Sequence, residues 1–174
     1  MGTIFLAGIY GVGKSTLGER IDRETGVPFY SAGDLISELN GELYGANKFV
    51  KDKFANQDIL SDAVNNKLEK NPSILLAGHF CIFDKDLNVD ILPAAVFERI
   101  RLEKIILLEA PVETIYTNLS NRDSRLYSLD ALNELSKTER ECAKAIAEKL
   151  SIPIYIYQMK FNDSDVLAVT EIIK

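Results

Sequence analysis

The sequence predicts a single α/β domain, residues 1–174, in which a five-stranded parallel sheet is covered by helices on both faces. Three observations predict it. Short apolar runs with little polar alternation, TIFLAG from Thr3, SILLAG from Ser73 and EKIILLE from Glu103, read as buried parallel strands. The stretches between them carry apolar residues at helical spacing. The first run also ends in a glycine-rich turn followed at once by Lys14-Ser15-Thr16, which can open a helix.

That turn has the phosphate-binding pattern G-x-x-x-x-G-K-[ST] from Gly8 to Ser15. Several backbone N–H groups must grip one phosphate together, and side chains at Gly11 and Gly13 would block the approach. The helix that follows adds its positive N-terminal end. Lys14 can reach the β- and γ-phosphates, the Ser15 hydroxyl can ligate Mg²⁺, and Thr16 can donate toward the α-phosphate. Gly8, Gly11, Val12, Gly13, Lys14, Ser15 and Thr16 are therefore the expected nucleotide-binding residues, and ATP with Mg²⁺ the expected cofactors. No N-K-x-D stretch is present to select guanine.

The first helix should run from about Lys14 to Thr25 and stop at Gly26. Val27 to Ser31 reads as a short buried strand. Asp34 stands at its end, where open parallel sheets place ligands. It is positioned either to touch a substrate or a Mg²⁺-bound water, or to cap the helix of Leu35 to Leu39. Residues of about 34–71 form a helical insert, and its Lys48, Lys51 and Lys53 read as a solvated face. After the SILLAG strand, Ala77 occupies the place where many phosphate-loop proteins carry an Asp, and Asp84 and Asp86 are the nearest carboxylates downstream. His79, the sole histidine, reads either as a hydrogen-bonded structural residue or as a substrate contact.

Pro111 opens the helix after the third strand, and that helix leads into the polar turn Asn121-Arg122-Asp123-Ser124-Arg125. This turn, at about 121–128, is a candidate lid. Closed over the loop, Arg122 and Arg125 would meet the transferring phosphoryl oxygens; the alternative is surface arginines paired with Asp123. A long helix over 128–150, capped by Ser128, presents Leu132, Leu135, Ala143, Ile146, Ala147 and Leu150 on one side. A last strand at 152–157 and a helix at 163–174 close the fold.

A formal charge of −6 argues against non-specific nucleic-acid binding, which is driven by phosphate neutralisation. The absence of a signal peptide and of an apolar run near membrane-spanning length predicts no membrane partner and a cytoplasmic location. Cys81 and Cys142 fit no metal or C-x-x-C pattern and read as buried apolar residues. The expected partners are a nucleotide and a small-molecule acceptor.

The chain resembles the small P-loop kinases, of the P-loop NTPase fold, and looks closest to the archaeal-type adenylate kinases. The resemblance lies in G-I-Y-G-V-G-K-S-T at Gly8, Y-S-A-G-D at Tyr30, A-G-H-F at Ala77, I-I-L-L-E-A at Ile105, N-R-D-S-R at Asn121, and Arg140 within its helix. It implies transfer of the ATP γ-phosphate to a nucleoside monophosphate. Gly33 and Asp34 would then face the acceptor, and Arg122, Arg125 and Arg140 would form a cationic lid. Independently of the resemblance, Asp34 is positioned to serve as base if the acceptor is a hydroxyl; a phosphate acceptor needs none. Ala77, Ser37 and Phe80 depart from the pattern, standing where the family tends to carry an acid and two arginines. The alternatives are a kinase of another small metabolite, or a slow ATPase acting as a switch or assembly factor.

Overall fold

The computed structural model describes residues 2–40, 53–122 and 126–174. Its central sheet contains β1 (Thr3–Ala7), β2 (Phe29–Ser31), β3 (Ile74–Ala77), β6 (Leu102–Glu109) and β7 (Ile154–Gln158), in the order β2-β3-β1-β6-β7. Every pairing is parallel. This is the predicted five-stranded parallel sheet of the P-loop fold.

The strands are apolar on both faces because both are covered. Ile4, Leu6, Leu75, Ile106 and Leu108 point into one core, shared with α1 (Lys14–Thr25), α5 (Val112–Arg122) and α7 (Ser164–Ile173). Phe5, Ala7, Leu76, Ile105 and Leu107 alternate into the other, shared with α2 (Ala32–Asn40), α3 (Lys53–Leu68) and α4 (Ala94–Arg99). Helix α6 (Leu129–Leu150) joins both cores: Leu132 and Leu135 pack into the first, Ala143 and Ile146 into the second. Ser128 caps it, its Oγ accepting the Ala131 N–H at 3.0 Å.

Local chemistry sets the boundaries. Helix α1 ends at Gly26, whose φ of 73° lets its N–H turn back to Asp22 O at 2.8 Å. Helix α2 follows β2 with no intervening turn, so Asp34 lies inside its first turn and is not its cap; the cap-like contact comes from Ser31, whose Oγ accepts the Asp34 N–H at 3.4 Å. Helix α5 continues through Asn121 and Arg122, the first two residues of the expected arginine-bearing turn.

Residues 81–99 hold elements that the hydrophobic pattern did not announce. A two-stranded antiparallel hairpin pairs β4 (Cys81–Phe83) with β5 (Val89–Ile91), and α4 follows. Asp84 builds its turn: one carboxylate oxygen accepts the N–H groups of Asp86 and Asn88 at 2.8 and 2.9 Å. Asp84 is thereby engaged in the hairpin turn. Among the described residues no helix is long and apolar enough to cross a membrane.

Candidate active site

The glycine-rich loop leaves the C-terminal end of β1 at the sheet's centre, between its neighbours β3 and β6. Gly8 sits at φ 144°, and a Cβ there would lie 2.6 Å from Leu108 O. Gly11 sits at φ 77°, and its Cβ would press to 2.9 Å from Leu119 Cγ. Both positions demand glycine, so the loop lies flat against β6 and α5. The Asn118 side-chain amide ties it further by donating to Gly11 O at 3.0 Å. At the start of α1 the N-cap Gly13 offers no side-chain cap, which leaves the first-turn N–H groups for a ligand.

Lys14 lies at this helix start. Its Nζ donates to Gly8 O at 2.6 Å and Ile9 O at 3.1 Å, which holds the ammonium over the loop. Beneath the loop is a group that the sequence reading missed. Glu139 of α6 is 1% exposed, and its Oε1 accepts the Gly8 N–H at 3.1 Å. Oε2 accepts the N–H groups of Phe80 and Cys81, both at 2.9 Å, and the Cys81 thiol at 3.3 Å. One buried carboxylate therefore joins the loop to the exit of β3. Burial pushes its pKa above the ordinary value, opposed by the Lys14 ammonium and by the N–H donors of Cys81 and Phe80. The Cys81 thiol is pushed up as well, by burial first and by Glu139 second, so it is no nucleophile.

A cavity of about 830 Å³ opens in front of the loop. Gly11, Gly13, Lys14, Ser15 and Thr16 form its wall on the loop side, with Arg122 and Asn118 from α5. Gly33 and Asp34 enter from the β2–α2 junction, and Gly78 and His79 from the end of β3. The His79 ring is packed at 4.6 Å from that of Tyr10, itself a loop residue. Three expected contacts are placed elsewhere. Val12 is fully buried, with its side chain in the core. Gly8 has its N–H engaged by Glu139, so it anchors the loop. Arg140 is outside the cavity lining: its Nε donates to Glu109 Oε1 at 2.6 Å, its Nη2 bonds the other carboxylate oxygen, and Gln158 Nε2 adds a bond to Glu109 at 2.7 Å. A guanidinium held in this fork braces α6 against β6. Arg125, the central part of the expected lid and residues 41–52 of the insert, including Lys48 and Lys51, lie outside the described residues.

The segment after β7 adds Met159, Phe161 and Asn162 to the wall, with Met159 and Phe161 close beside Gly13. Asp165, 2% exposed, shapes it by accepting the Tyr157 hydroxyl at 2.8 Å and the N–H groups of Lys160 and Asn162 at 3.0 and 3.1 Å. Burial and the bond to Asp165 push the Tyr157 phenol up to about 12. For Asp165 itself burial pushes upward, but the donors outweigh it and the carboxyl is held below its ordinary 3.8. A carboxyl lowered by folding adds stability above its unfolded pKa, and that stability is lost as pH falls through the folded value. Wild-type protein should therefore lose melting temperature as pH drops below 3.8, and Asp165→Asn should flatten that acid limb. A melting series from about pH 5 down to about pH 2 checks it, and equal slopes in the two proteins would contradict the assignment.

The residues present fit a nucleotide triphosphate with Mg²⁺. The uncapped helix start and the flat loop suit phosphate, while Lys14 and Arg122 supply positive charge. The described residues contain no cluster of three or more His, Cys, Asp or Glu able to hold a metal by itself. Mg²⁺ is held mainly by phosphates and waters with one or two protein oxygens, a role that the Ser15 hydroxyl at the cavity wall would fill.

Fold and site together define a P-loop nucleotide-binding domain. The family model described as an AAA domain matches residues 7–136, and the chain belongs to that family. No curated protein sequence matches it. Among solved structures it is similar to shikimate kinase from Aquifex aeolicus, with a TM-score of 0.61 and 16% identity over 98% of this chain and 94% of that one. Shikimate kinase from Bacteroides thetaiotaomicron gives a TM-score of 0.59 and 16% identity over 99% and 95% of the two chains. A gluconokinase from Sinorhizobium meliloti gives 0.55 and 14% over 97% and 89%. At these identities the likeness establishes the fold, which those kinases share over nearly their full length.

Proposed function

We propose that this protein is an ATP-dependent kinase of a small metabolite. One observation carries the reading: the loop lysine, Arg122 and Asp34, from three separate elements, line one cavity. A nucleotide-holding loop alone needs no carboxylate at the β2–α2 junction, whereas phosphoryl transfer to a hydroxyl has a use for it. The similarity in fold to shikimate kinases and a gluconokinase supports the same reading.

In the proposed reaction the loop N–H groups and Lys14 hold the β- and γ-phosphates, and Mg²⁺, when bound, neutralises charge between them. Asp34 accepts the proton of the acceptor hydroxyl as its oxygen bonds to the γ-phosphorus. The bond from that phosphorus to the β–γ bridging oxygen breaks, and ADP leaves. Arg122 stabilises the charge on the transferring oxygens. A nucleoside monophosphate acceptor, the finer reading from the family resemblance, would need cations for its own phosphate. Among the described residues the acceptor side of the cavity has no Lys or Arg, which favours another small metabolite.

A coupled assay with ATP, Mg²⁺ and a panel of acceptors, each set against a no-acceptor control, tests the reading. Acceptor-dependent ADP release supports it. ATP hydrolysis indifferent to every acceptor would sink it in favour of a slow ATPase switch. Asp34→Asn should lower kcat by about 10²-fold with the KM for ATP little changed, since a general base contributes to the chemical step and not to nucleotide binding.

A further inference from the structure

We propose that the acceptor half of the cavity takes an uncharged alcohol with an apolar ring, whose hydrogen-bond-accepting atom meets the side-chain amide of Gln57. The inference rests on the kinase reading above and names its substrate class.

Gln57 lies on α3, is 8% exposed and lines the cavity, and its Nε2 has no hydrogen-bond partner. Buried amide donors are rarely left unpaired in native proteins, and an acceptor atom on a bound molecule would pair this one. Its neighbours along the wall are apolar: Ile36, Leu60, Val96 and the rings of Phe5 and Phe97, which meet edge to face at 5.6 Å. Such a surface suits a flat ring with one polar edge.

Charge narrows the class further. Among the described residues the cations lining the cavity are Lys14, Arg20 and Arg122, on α1 and α5. The described side chains of α2, α3, α4 and the hairpin add no further cation to that lining. Arg99 of α4 is ion-paired with Asp58, and Lys67 of α3 lies over the Tyr30 ring, 4.7 Å from its centroid. A phosphate or carboxylate placed among Ile36, Leu60 and Phe97 would lose its hydration without gaining a counter-charge from the described side chains, and would stand in the same chamber as Asp34. A neutral alcohol incurs neither cost, and its hydroxyl can face Asp34 while its ring lies on the apolar wall.

The test uses the full chain with ATP and Mg²⁺, and the common ribonucleosides as neutral ring-bearing alcohols. Their own 5′-monophosphates, shikimate and gluconate serve as anionic competitors for the same role. The expected result is transfer to at least one nucleoside, with a KM about tenfold or more below that of its monophosphate. Gln57→Leu should raise the KM for that nucleoside about tenfold while leaving the melting temperature unchanged or higher, because it removes an unpaired buried donor. A purely structural Gln57 would do the opposite, lowering the melting temperature and leaving the KM alone. Preference for an anionic acceptor, or an unaltered KM in Gln57→Leu, overturns the inference and leaves the kinase reading standing. ATP hydrolysis with transfer to no acceptor overturns the kinase reading and this inference with it.

Discussion

Lys14→Ala should lower kcat/KM for phosphoryl transfer by roughly 10³-fold or more while the protein still unfolds cooperatively. The side chain is the one ammonium that the loop itself holds in place, through Gly8 O and Ile9 O. Alanine removes that charge where it would be strongest, beside oxygens that gain charge as the phosphoryl group moves. A second consequence concerns the ground state, because Lys14 also offsets the buried charge of Glu139. Steady-state kinetics beside a urea titration separates the two effects. Turnover within tenfold of wild type, about 1.4 kcal/mol in the barrier, would remove Lys14 from the mechanism.

Glu139→Ala should cost about 3–5 kcal/mol of folding stability, a large fraction of what a domain of this size possesses. The substitution leaves the N–H groups of Gly8, Phe80 and Cys81 without their acceptor, at about 1–3 kcal/mol for each one that finds no other partner. Glutamine is no substitute. A carboxylate accepts at both oxygens, whereas an amide has one oxygen and one NH₂ and must set a donor against Gly8 or against the Phe80–Cys81 pair. Glu139→Gln should therefore fall between wild type and Glu139→Ala, and both should weaken ATP binding by loosening the loop. Denaturant unfolding and calorimetric ATP titration would measure this. A loss below about 1 kcal/mol in the alanine variant would mean that the N–H groups find other partners.

What the sequence disclosed follows the range of the interactions involved. The loop was legible because its constraints are local: Gly8 and Gly11 are dictated by backbone angles and close approach, and Lys14 by its place at a helix start. The strands were legible because a sheet covered on both faces leaves runs such as ILLA at Ile74 no polar alternation. The hairpin after β3 was hidden because three-residue strands carry too little periodicity, and its turn rests on Asp84 side-chain bonds. Asp34 was recognised at the strand end, but its place inside α2 depends on the chain passing from β2 into the helix without a turn. Arg140 showed its charge in the sequence and not its partner, Glu109, which comes from strand β6.

Glu139 is the instructive omission. It lies in a charged stretch, E-L-S-K-T-E-R-E, that resembles a solvated helix face. Yet it falls four residues after Leu135 and four before Ala143, on the side that faces the cores. A lone acid at a core position of an otherwise apolar stripe was the available signal. The helix passes from one side of the sheet to the other at this point, and the carboxylate meets backbone donors instead of side chains, a pairing that residue identities do not display.

Gly8 and Glu139 are separated by 131 positions in the chain, so the loop's anchor is made long after the loop itself has left the ribosome. A nascent chain that stops short of α6 would carry every letter of the phosphate-binding motif and lack the bond that sets its first glycine. A chain truncated before α6 should therefore hold ATP more weakly than the full chain, because its loop lacks the long-range bond at Gly8.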